Sequence, residues 1–496
     1  MTRPPARVLA DATLDVPSVP AGSRRALLLN PPVYDAQYWA RWSQPAGLLR
    51  LGRMMRDRGY DVRLLDAMET DARGYVPKSR RKVGGVPQVV RRDDMAKPIY
   101  HFGLGWDAIR ARLTALFPEA PDEVWITSVM TYWWESTRDA VALCRELFPH
   151  ATVLVGGIYP TVAPAHAAAK LGADVVFTGE LHAASDCWPD FSLYERAPSY
   201  AIVTTSRGCP WDCHYCAART LNGGSNKVRA RDPDDVLAEI REKYDKYGVR
   251  RFGFYEDNAL VSRGHLQEVL ERIIESGMKL DLYAPEGFET RFLTTDLLKV
   301  MKRAGFDRIH LPFEALKFET TLGWNRRHAS TASFEAAFEA AVEAGFKPRS
   351  EDINAFVLFG LPDDSLADIL DGVLYVHHKV GSIVPMLFTP VPGTHIYREH
   401  EQYLLREPKR DPDGGQRLWD LQDLNGKFLP FLEYNRRRYP ELRASDYLQL
   451  EALMSVLNNG KVLWRAADLC DDALASRGFR TAVGEIRPPK QRRTVA

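Results

Sequence analysis

Short apolar runs alternate with stretches of helical period along most of this chain. The first run is 25–29 (Arg-Ala-Leu-Leu-Leu), ending in Asn30-Pro31-Pro32. A helical stretch over 48–58 stops at Gly59, and 60–65 reads as a second strand. The alternation returns with a strand at 124–127, a helix over 136–148, and a strand at 152–155 followed by Gly156-Gly157. It closes with a helix at 165–170 and a strand at 174–177 followed by Gly179-Glu180. Apolar strands alternating with helices predict an α/β domain with a doubly wound, Rossmann-like parallel sheet. Ligands of such sheets bind beyond the carboxyl ends of the strands, where small residues let a ligand approach.

The same rhythm repeats six times further on. Strands are expected at 201–205, 251–255, 280–283, 308–311, 353–359 and 383–388. Helices are expected near 232–247, 265–276, 295–304, 333–344 and 366–379. Six such units make a partial (β/α)6 barrel, with its functional groups at the carboxyl ends of the strands. Around these lie a Pro- and Ala-rich arm over 1–23, expected to be disordered or loosely docked, and an aperiodic linker over 186–199. The two folded regions are then 24–185 and 200–395. The remainder, 396–496, has helical stretches at 417–423, 446–457 and 461–468. It predicts a helical cap over the open side of the barrel, with a frayed basic tip at 490–496. Tyr434, Arg436, Arg437, Tyr447 and Trp464 are candidates there for facing a substrate or for plain packing.

Composition narrows the class. Of 496 residues, 45% are hydrophobic and 26% charged, as in an ordinary globular protein. Lys+Arg 66 against Asp+Glu 65 gives no global pull toward nucleic acid or an anionic membrane. No apolar run is long enough to span a bilayer, and the N-terminal residues lack the apolar run expected of a secretory signal. One local exception is 71–105, with eight basic residues against three acidic ones. It reads as a solvated insertion or as a site for a polyanion. Six cysteines, three of them clustered, suit thiolate chemistry in a reducing compartment, so the cytoplasm is expected.

The cluster is Cys209-Pro-Trp-Asp-Cys213-His-Tyr-Cys216, spaced C-x3-C-x2-C just after the first strand of the second region. Three thiolates turned to one point suit a soft metal centre. Iron–sulfur clusters usually take four cysteines. The remaining ones, Cys144, Cys187 and Cys470, are dispersed. A 4Fe-4S cluster with one iron open to a non-protein ligand satisfies this set. The alternative is zinc, with His214 as a fourth ligand. The spacing, with Tyr215 before the last cysteine, resembles the radical S-adenosylmethionine (SAM) superfamily. That resemblance implies that SAM binds the open iron and is reductively cleaved to a 5′-deoxyadenosyl radical.

The later strand ends are similar to the family in order and spacing. Glu256-Asp257-Asn258 stands where the family places a motif for the SAM amino group, which a carboxylate can hold by a charge-assisted hydrogen bond. The resemblance further implies Arg291 for the SAM carboxylate and Glu314 for the ribose. It implies the 358–362 turn, with Gly360, for the adenine. Asn325-Arg-Arg-His328 resembles a polar family stretch, and Thr389-Pro-Val-Pro-Gly393-Thr394 resembles the Pro-x-Pro-Gly-Thr of cobalamin-type members.

The N-terminal half resembles the cobalamin-binding domain of one radical SAM subclass. There Ser128, Thr131, Gly156, Gly157 and Thr161 would line the pocket for the nucleotide tail. The Asp-x-His-x-x-Gly motif that supplies an axial histidine elsewhere is absent. Trp133 and Trp134 either pack the core or take volume that a corrin ring would need. The resemblance implies cobalamin-dependent methyl transfer to an unactivated carbon of a small molecule, with a reductant such as flavodoxin or ferredoxin as partner. Nucleic acid and a membrane span are not expected. Rearrangement, cyclisation or oxidation without cobalamin is the alternative, and a non-catalytic iron–sulfur or zinc module is a third reading.

Overall fold

The computed structural model describes residues 6–36, 44–70, 76–262, 264–410 and 414–467, with side chains to residue 460. The chain forms two compact units, Met1–Val261 with Thr389–Pro430, and Ser262–Phe388 with Phe431–Ala496.

The first unit is built on a six-stranded parallel sheet. Its order is Arg7–Ala10, Val175–Thr178, Thr152–Gly156, Glu123–Thr127, Arg25–Asn30, Asp61–Asp66. Leu27, Leu28 and Leu29 are wholly buried. Successive strand residues point to opposite faces, so such a run is stable only where both faces are covered. Helix Ala46–Asp57 covers one face, bringing Leu48, Leu51 and Met55 against Leu28, Val62 and Trp125. Helix Trp134–Leu147 packs on the Glu123–Thr127 and Thr152–Gly156 strands. Strand order reverses between Arg25–Asn30 and Glu123–Thr127, which makes that junction the topological switch point.

The N-terminal arm departs from expectation. Arg7–Ala10 pairs in register with Val175–Thr178 as an edge strand, and Val16 is buried in the core cluster. Composition suggested a loose segment, but four residues with unpaired sheet beside them gain a ladder of backbone hydrogen bonds. The basic insertion folds into short antiparallel ribbons, including Val89–Arg92 with Met95–Pro98. Two of its arginines are drawn into ion pairs, Arg81 with Glu135 at 2.8 Å and Arg92 with Asp423 at 2.6 Å.

Still within the first unit, Tyr200–Val203 lies parallel to Arg251–Phe254 and leads into the cysteine loop. Helix Pro233–Tyr247 follows, with Asp232 as its N-cap and Gly248 in the left-handed conformation at its end.

The second unit carries the parallel strands Ile309–Glu314, Ile353–Phe359 and Ser382–Leu387, the first two each followed by a helix of the same unit. Helix Thr331–Glu343 starts at a capping box on Ser330 and Ser333 and buries Phe334, Ala337 and Ala341. Phe334 meets Phe313 edge-on, with ring centres 5.1 Å apart. The two helices expected at 446–457 and 461–468 are one, Ala444–Ala467. It packs on the Ser382–Leu387 strand, where the Asn458 amide exchanges bonds of 2.7 and 2.8 Å with the Ile383 backbone. Tyr447 is buried, stacked on Phe359, so it packs rather than faces a substrate. Residues 417–423, expected helical, give a two-residue strand and a 3-10 turn, because the Asp420 carboxylate caps Leu421 instead. The Trp464 side chain, Cys470 and the basic tip lie outside the described residues.

Candidate functional site

The cysteine loop is fixed from both sides before any cofactor is considered. Ser206–Arg207 pairs antiparallel with Arg229–Ala230 as a two-residue ribbon. Gly208 follows with φ +98°, and a Cβ there would sit 2.2 Å from the Lys227 carbonyl oxygen. Only glycine allows that approach. Cys209 and Cys213 are buried, and Cys216 is exposed. The Cys216 N–H donates to the Cys213 carbonyl at 3.0 Å, and the Ala218 N–H donates to Cys216 Sγ at 3.5 Å. Burial pushes the Cys209 thiol up, while the Trp211 backbone N–H and the Asn258 side chain donate to its sulfur and pull it down.

The outer rim of the loop meets the segment around Gly393-Thr394. Thr220 Oγ1 donates to the Gly393 carbonyl at 3.2 Å, and the Ile396 N–H donates to the His214 carbonyl at 3.1 Å. Among the described residues, no three His, Cys, Asp or Glu side chains gather closely enough to hold a single metal ion. The His214 ring lies 4.8 Å from the His395 ring instead of closing a tetrahedral shell with the thiols. A 4Fe-4S cluster spreads its cysteines over separate irons, so it draws on sulfurs spaced wider than one ion tolerates. Three thiols on one glycine-hinged loop, two of them shielded from water, are a donor set of that kind.

Glu256 and Asp257, expected near the SAM amino group, are both engaged by the cysteine loop. Glu256 is 8% exposed, and its carboxylate accepts from the Thr205 N–H at 2.5 Å, the Ser206 N–H at 2.8 Å and Ser206 Oγ at 2.8 Å. Burial raises its pKa above the usual carboxylate value, although those donors oppose the shift. One oxygen of Asp257 accepts from the Gly208 N–H at 2.7 Å and from Asn222 Nδ2 at 3.1 Å. Both carboxylates therefore hold the cysteine loop. Asn222 and Asn258 were not singled out from sequence. The only signal for Asn258 was its place immediately after the two acids. Tyr215 is half-buried on the loop.

In the second unit, Glu289, Arg291, Glu314 and Arg326 alternate in sign near the strand ends, with His328 among them. Arg291 Nε donates to Glu289 at 2.6 Å, and Arg326 pairs with Glu314 at 2.8 Å. Glu314 has φ +66° at a register shift in its strand, a strained backbone for a residue with a Cβ. Burial, with Arg326 and Arg291 nearby, lowers the His328 pKa to about 4. Gly360, at φ +87°, donates its N–H to the buried Asp364 at 2.5 Å, and Leu361 donates to the same oxygen at 3.0 Å. Asn435 completes that turn by donating to the Leu361 carbonyl and accepting from the Asp363 N–H, each at 2.8 Å.

At the carboxyl edge of the six-stranded sheet, four of the five expected residues converge. Gly157 has φ +111°, and a Cβ there would lie 2.4 Å from the Ser128 carbonyl oxygen. Thr161 Oγ1 donates to the Gly157 carbonyl at 2.7 Å and accepts from the Gly179 N–H at 2.9 Å. Ser128 N–H donates to the Gly156 carbonyl at 2.9 Å. Thr131 is buried in the turn that follows. Val129, Met130 and Ile158 remain exposed at 37%, 41% and 38%, which leaves an apolar surface beside the glycines. Trp133 and Trp134 turn inward, their indole N–H groups on Asp35 at 3.1 Å and Gln422 at 2.7 Å. They pack the interior and leave that surface clear. Helix Ile158–Val162 packs on helix Ala218–Leu221, which follows Cys216, and Glu180 pairs with Arg207 and Arg229.

Comparison with known proteins places this geometry. Residues 203–373 match the Radical SAM superfamily model. The chain is 24% identical over 280 residues to bacteriochlorophyllide d C-12(1)-methyltransferase of Chlorobaculum tepidum, covering 50% of this chain and 59% of that one. It is 30% identical over 140 residues to the anaerobic magnesium-protoporphyrin IX monomethyl ester cyclase of Synechocystis, covering 28% of this chain and 27% of that one. The chain thus spans less than two thirds of either relative. Among solved structures it shares its fold with the radical SAM methyltransferase TsrM of Kitasatospora setae, which was determined with tryptophan substrate and a SAM analog bound. The TM-score is 0.58 at 15% identity, over 85% of each chain. Residues 203–373 therefore resemble the Radical SAM superfamily, they follow a doubly wound α/β sheet, and the chain shares the fold of TsrM.

Proposed function

We propose that this protein is a radical SAM enzyme that transfers a methyl group to an unactivated carbon of a small molecule. Cys209, Cys213 and Cys216 hold its 4Fe-4S cluster, and the carboxyl edge at Ser128, Gly156, Gly157 and Thr161 holds cobalamin. The observation that carries this reading is the meeting, inside one compact unit, of the cysteine loop and that edge. Helix Ile158–Val162 touches helix Ala218–Leu221, and Glu180 reaches both arms of the ribbon framing the loop. Two cofactors that act on one substrate need their sites side by side. When bound, the cluster supplies the electron that cleaves the SAM sulfonium, and cobalamin supplies a methyl carrier.

The chain's own groups orient and shield. Gly208 lets the loop turn, and the Gly393-Thr394 segment closes its rim. Arg291 and Glu314 remain the candidates for the SAM carboxylate and ribose, Gly360 for the adenine, and Tyr215 for a contact beside the last thiolate. Each arginine already pairs with a carboxylate, so SAM would join a pre-formed charge network rather than lone charges. The apolar Val129, Met130 and Ile158 suit the face of a macrocycle. An external electron carrier such as flavodoxin or ferredoxin would reduce the cluster. The similarity to a cyclase favours a second reading, ring closure without methyl transfer.

The optical spectrum of protein produced with cobalamin supplied tests the two-cofactor reading. Corrin absorption that stays with the chain through purification, together with label passed from methyl-labelled SAM to product, is the expected result. A spectrum with iron–sulfur bands and no corrin bands contradicts the methyl-transfer half and favours ring closure or another radical reaction.

A further inference from the structure

Resting on that reading, we infer that Glu256, Asp257 and Asn258 are positioning residues for the iron–sulfur cluster, extending the strand ladder by side chains to set the first cysteine, and are not ligands of the SAM amino group. The ladder between Tyr200–Val203 and Arg251–Phe254 ends in backbone pairing, with the Tyr255 N–H on the Val203 carbonyl at 3.1 Å. Beyond it the two chains separate, and three successive side chains take over. Glu256 takes the amides of Thr205 and Ser206 together with the Ser206 hydroxyl. Asp257 takes the amide of Gly208 and the side chain of Asn222, which lies past the third cysteine. Asn258 donates to the Cys209 sulfur, while its own oxygen accepts from the Leu260 N–H at 3.2 Å.

The pattern follows the loop residue by residue. Positions 256, 257 and 258 address 205–206, 208 and 209 in turn. Asp257 also bridges the entrance and exit of the loop, because Asn222 belongs to the turn after helix Ala218–Leu221. A carboxylate already receiving three donors at a buried site, as Glu256 is, has most of its acceptor sites committed. Partners of this kind behind metal ligands orient them, and mutation typically costs about tenfold to a hundredfold in metal affinity. Hydrogen bonds to cluster sulfurs also set the reduction potential.

Asp257 separates positioning from charge. A single oxygen, Oδ2, accepts both bonds, so the Oδ1 of Asp257→Asn can accept both, whereas Asp257→Ala accepts neither. The chain is reconstituted anaerobically as wild type, Asp257→Asn, Asp257→Ala and Asn258→Ala. Iron and sulfide content are measured, and EPR spectra of the reduced cluster are recorded with and without SAM. Asp257→Asn is expected to keep its cluster and to bind SAM within about threefold of wild type, while Asp257→Ala loses cluster affinity about tenfold or more. Asn258→Ala keeps a cluster whose midpoint potential, read by EPR titration, is more negative, since one donor that stabilises the reduced state is gone.

The opposite pattern overturns the inference. In it, Asp257→Asn loads normally but loses SAM affinity about tenfold or more, as expected for a lost charge-assisted bond to the ammonium. Unchanged cluster content in Asp257→Ala overturns it as well. A circular dichroism spectrum separates loop failure from a chain that has not folded. If Asp257→Ala does not fold, the SAM affinity of Asp257→Asn and the potential of Asn258→Ala decide alone. A wild type that takes up no cluster overturns the functional reading and this inference with it. A wild type that loads, with variants that fail the pattern, overturns this inference only.

Discussion

A single α-carbon decides whether the cysteine loop can form. Gly208 combines a positive φ with the Lys227 carbonyl at 2.2 Å from where a Cβ would sit, and neither can be relieved by a rotamer change. Gly208→Ala is expected to cost more than about 1 kcal/mol of stability and to lower cluster yield. Thermal unfolding of the apo-protein and iron content of the reconstituted protein check both. Serine at any one of Cys209, Cys213 or Cys216 removes a soft ligand. The expected outcome is an iron content near background with an unchanged far-UV spectrum, because the fold of the sheet does not depend on the thiols. At this scale the cysteine loop was legible from spacing as a candidate ligand set, since three thiols in eight residues have few other uses. The contacts of Glu256 and Asp257 with the loop were not. A carboxylate at a strand end looks the same in sequence whether it faces a ligand or the amides of the next loop, and only burial and partners tell them apart.

Among elements, the segment Asp420–Lys427 holds the N-terminal domain by charge. Burial opposes ionisation of Asp420, but bonds from His166 and Lys170, each 2.7 Å, outweigh it and hold its pKa well below the usual carboxylate range. A carboxyl depressed on folding contributes stability that is present above its unfolded pKa and is lost as pH falls below about 4. Protection against hydrogen exchange at 420–427, corrected for the intrinsic rate, is therefore expected to fall below that pH. Asp420→Asn is expected to lower that protection at neutral pH as well, by on the order of 1 kcal/mol because the carboxylate is partly exposed. Equal protection in variant and wild type at pH 7 contradicts this. The second unit offers a parallel case. Asn458 satisfies both backbone groups of Ile383 on an edge strand, and Asn458→Ala leaves them unpaired at a cost of about 1–3 kcal/mol, readable by urea unfolding. Strands and helices of the two regions followed from apolar runs and caps. The Arg7–Ala10 strand did not, because four residues carry too little periodicity to outweigh the prolines around them. Nor did the course of 416–428, whose turns are set by partners far away in sequence, such as Asp35 with Asn425 at 3.0 Å.

For the molecule as a whole, the first compact unit is assembled from residues up to 261 together with 389–430. No reading in chain order could have shown that the second stretch belongs with the first. Residues 389–396 touch the cysteine loop, and 420–428 touch the α/β domain, so one returning stretch joins the two parts of the candidate site. No helix among the described residues is long and apolar enough to cross a membrane. The whole account depends on three thiols holding a cluster that can reduce SAM. The most direct test incubates the anaerobically reconstituted chain with dithionite and SAM and measures 5′-deoxyadenosine by mass spectrometry. The account predicts that it accumulates with the wild type and is absent with Cys213→Ser. A fully loaded wild type that leaves SAM intact, or a Cys213→Ser chain that cleaves it equally well, contradicts the account.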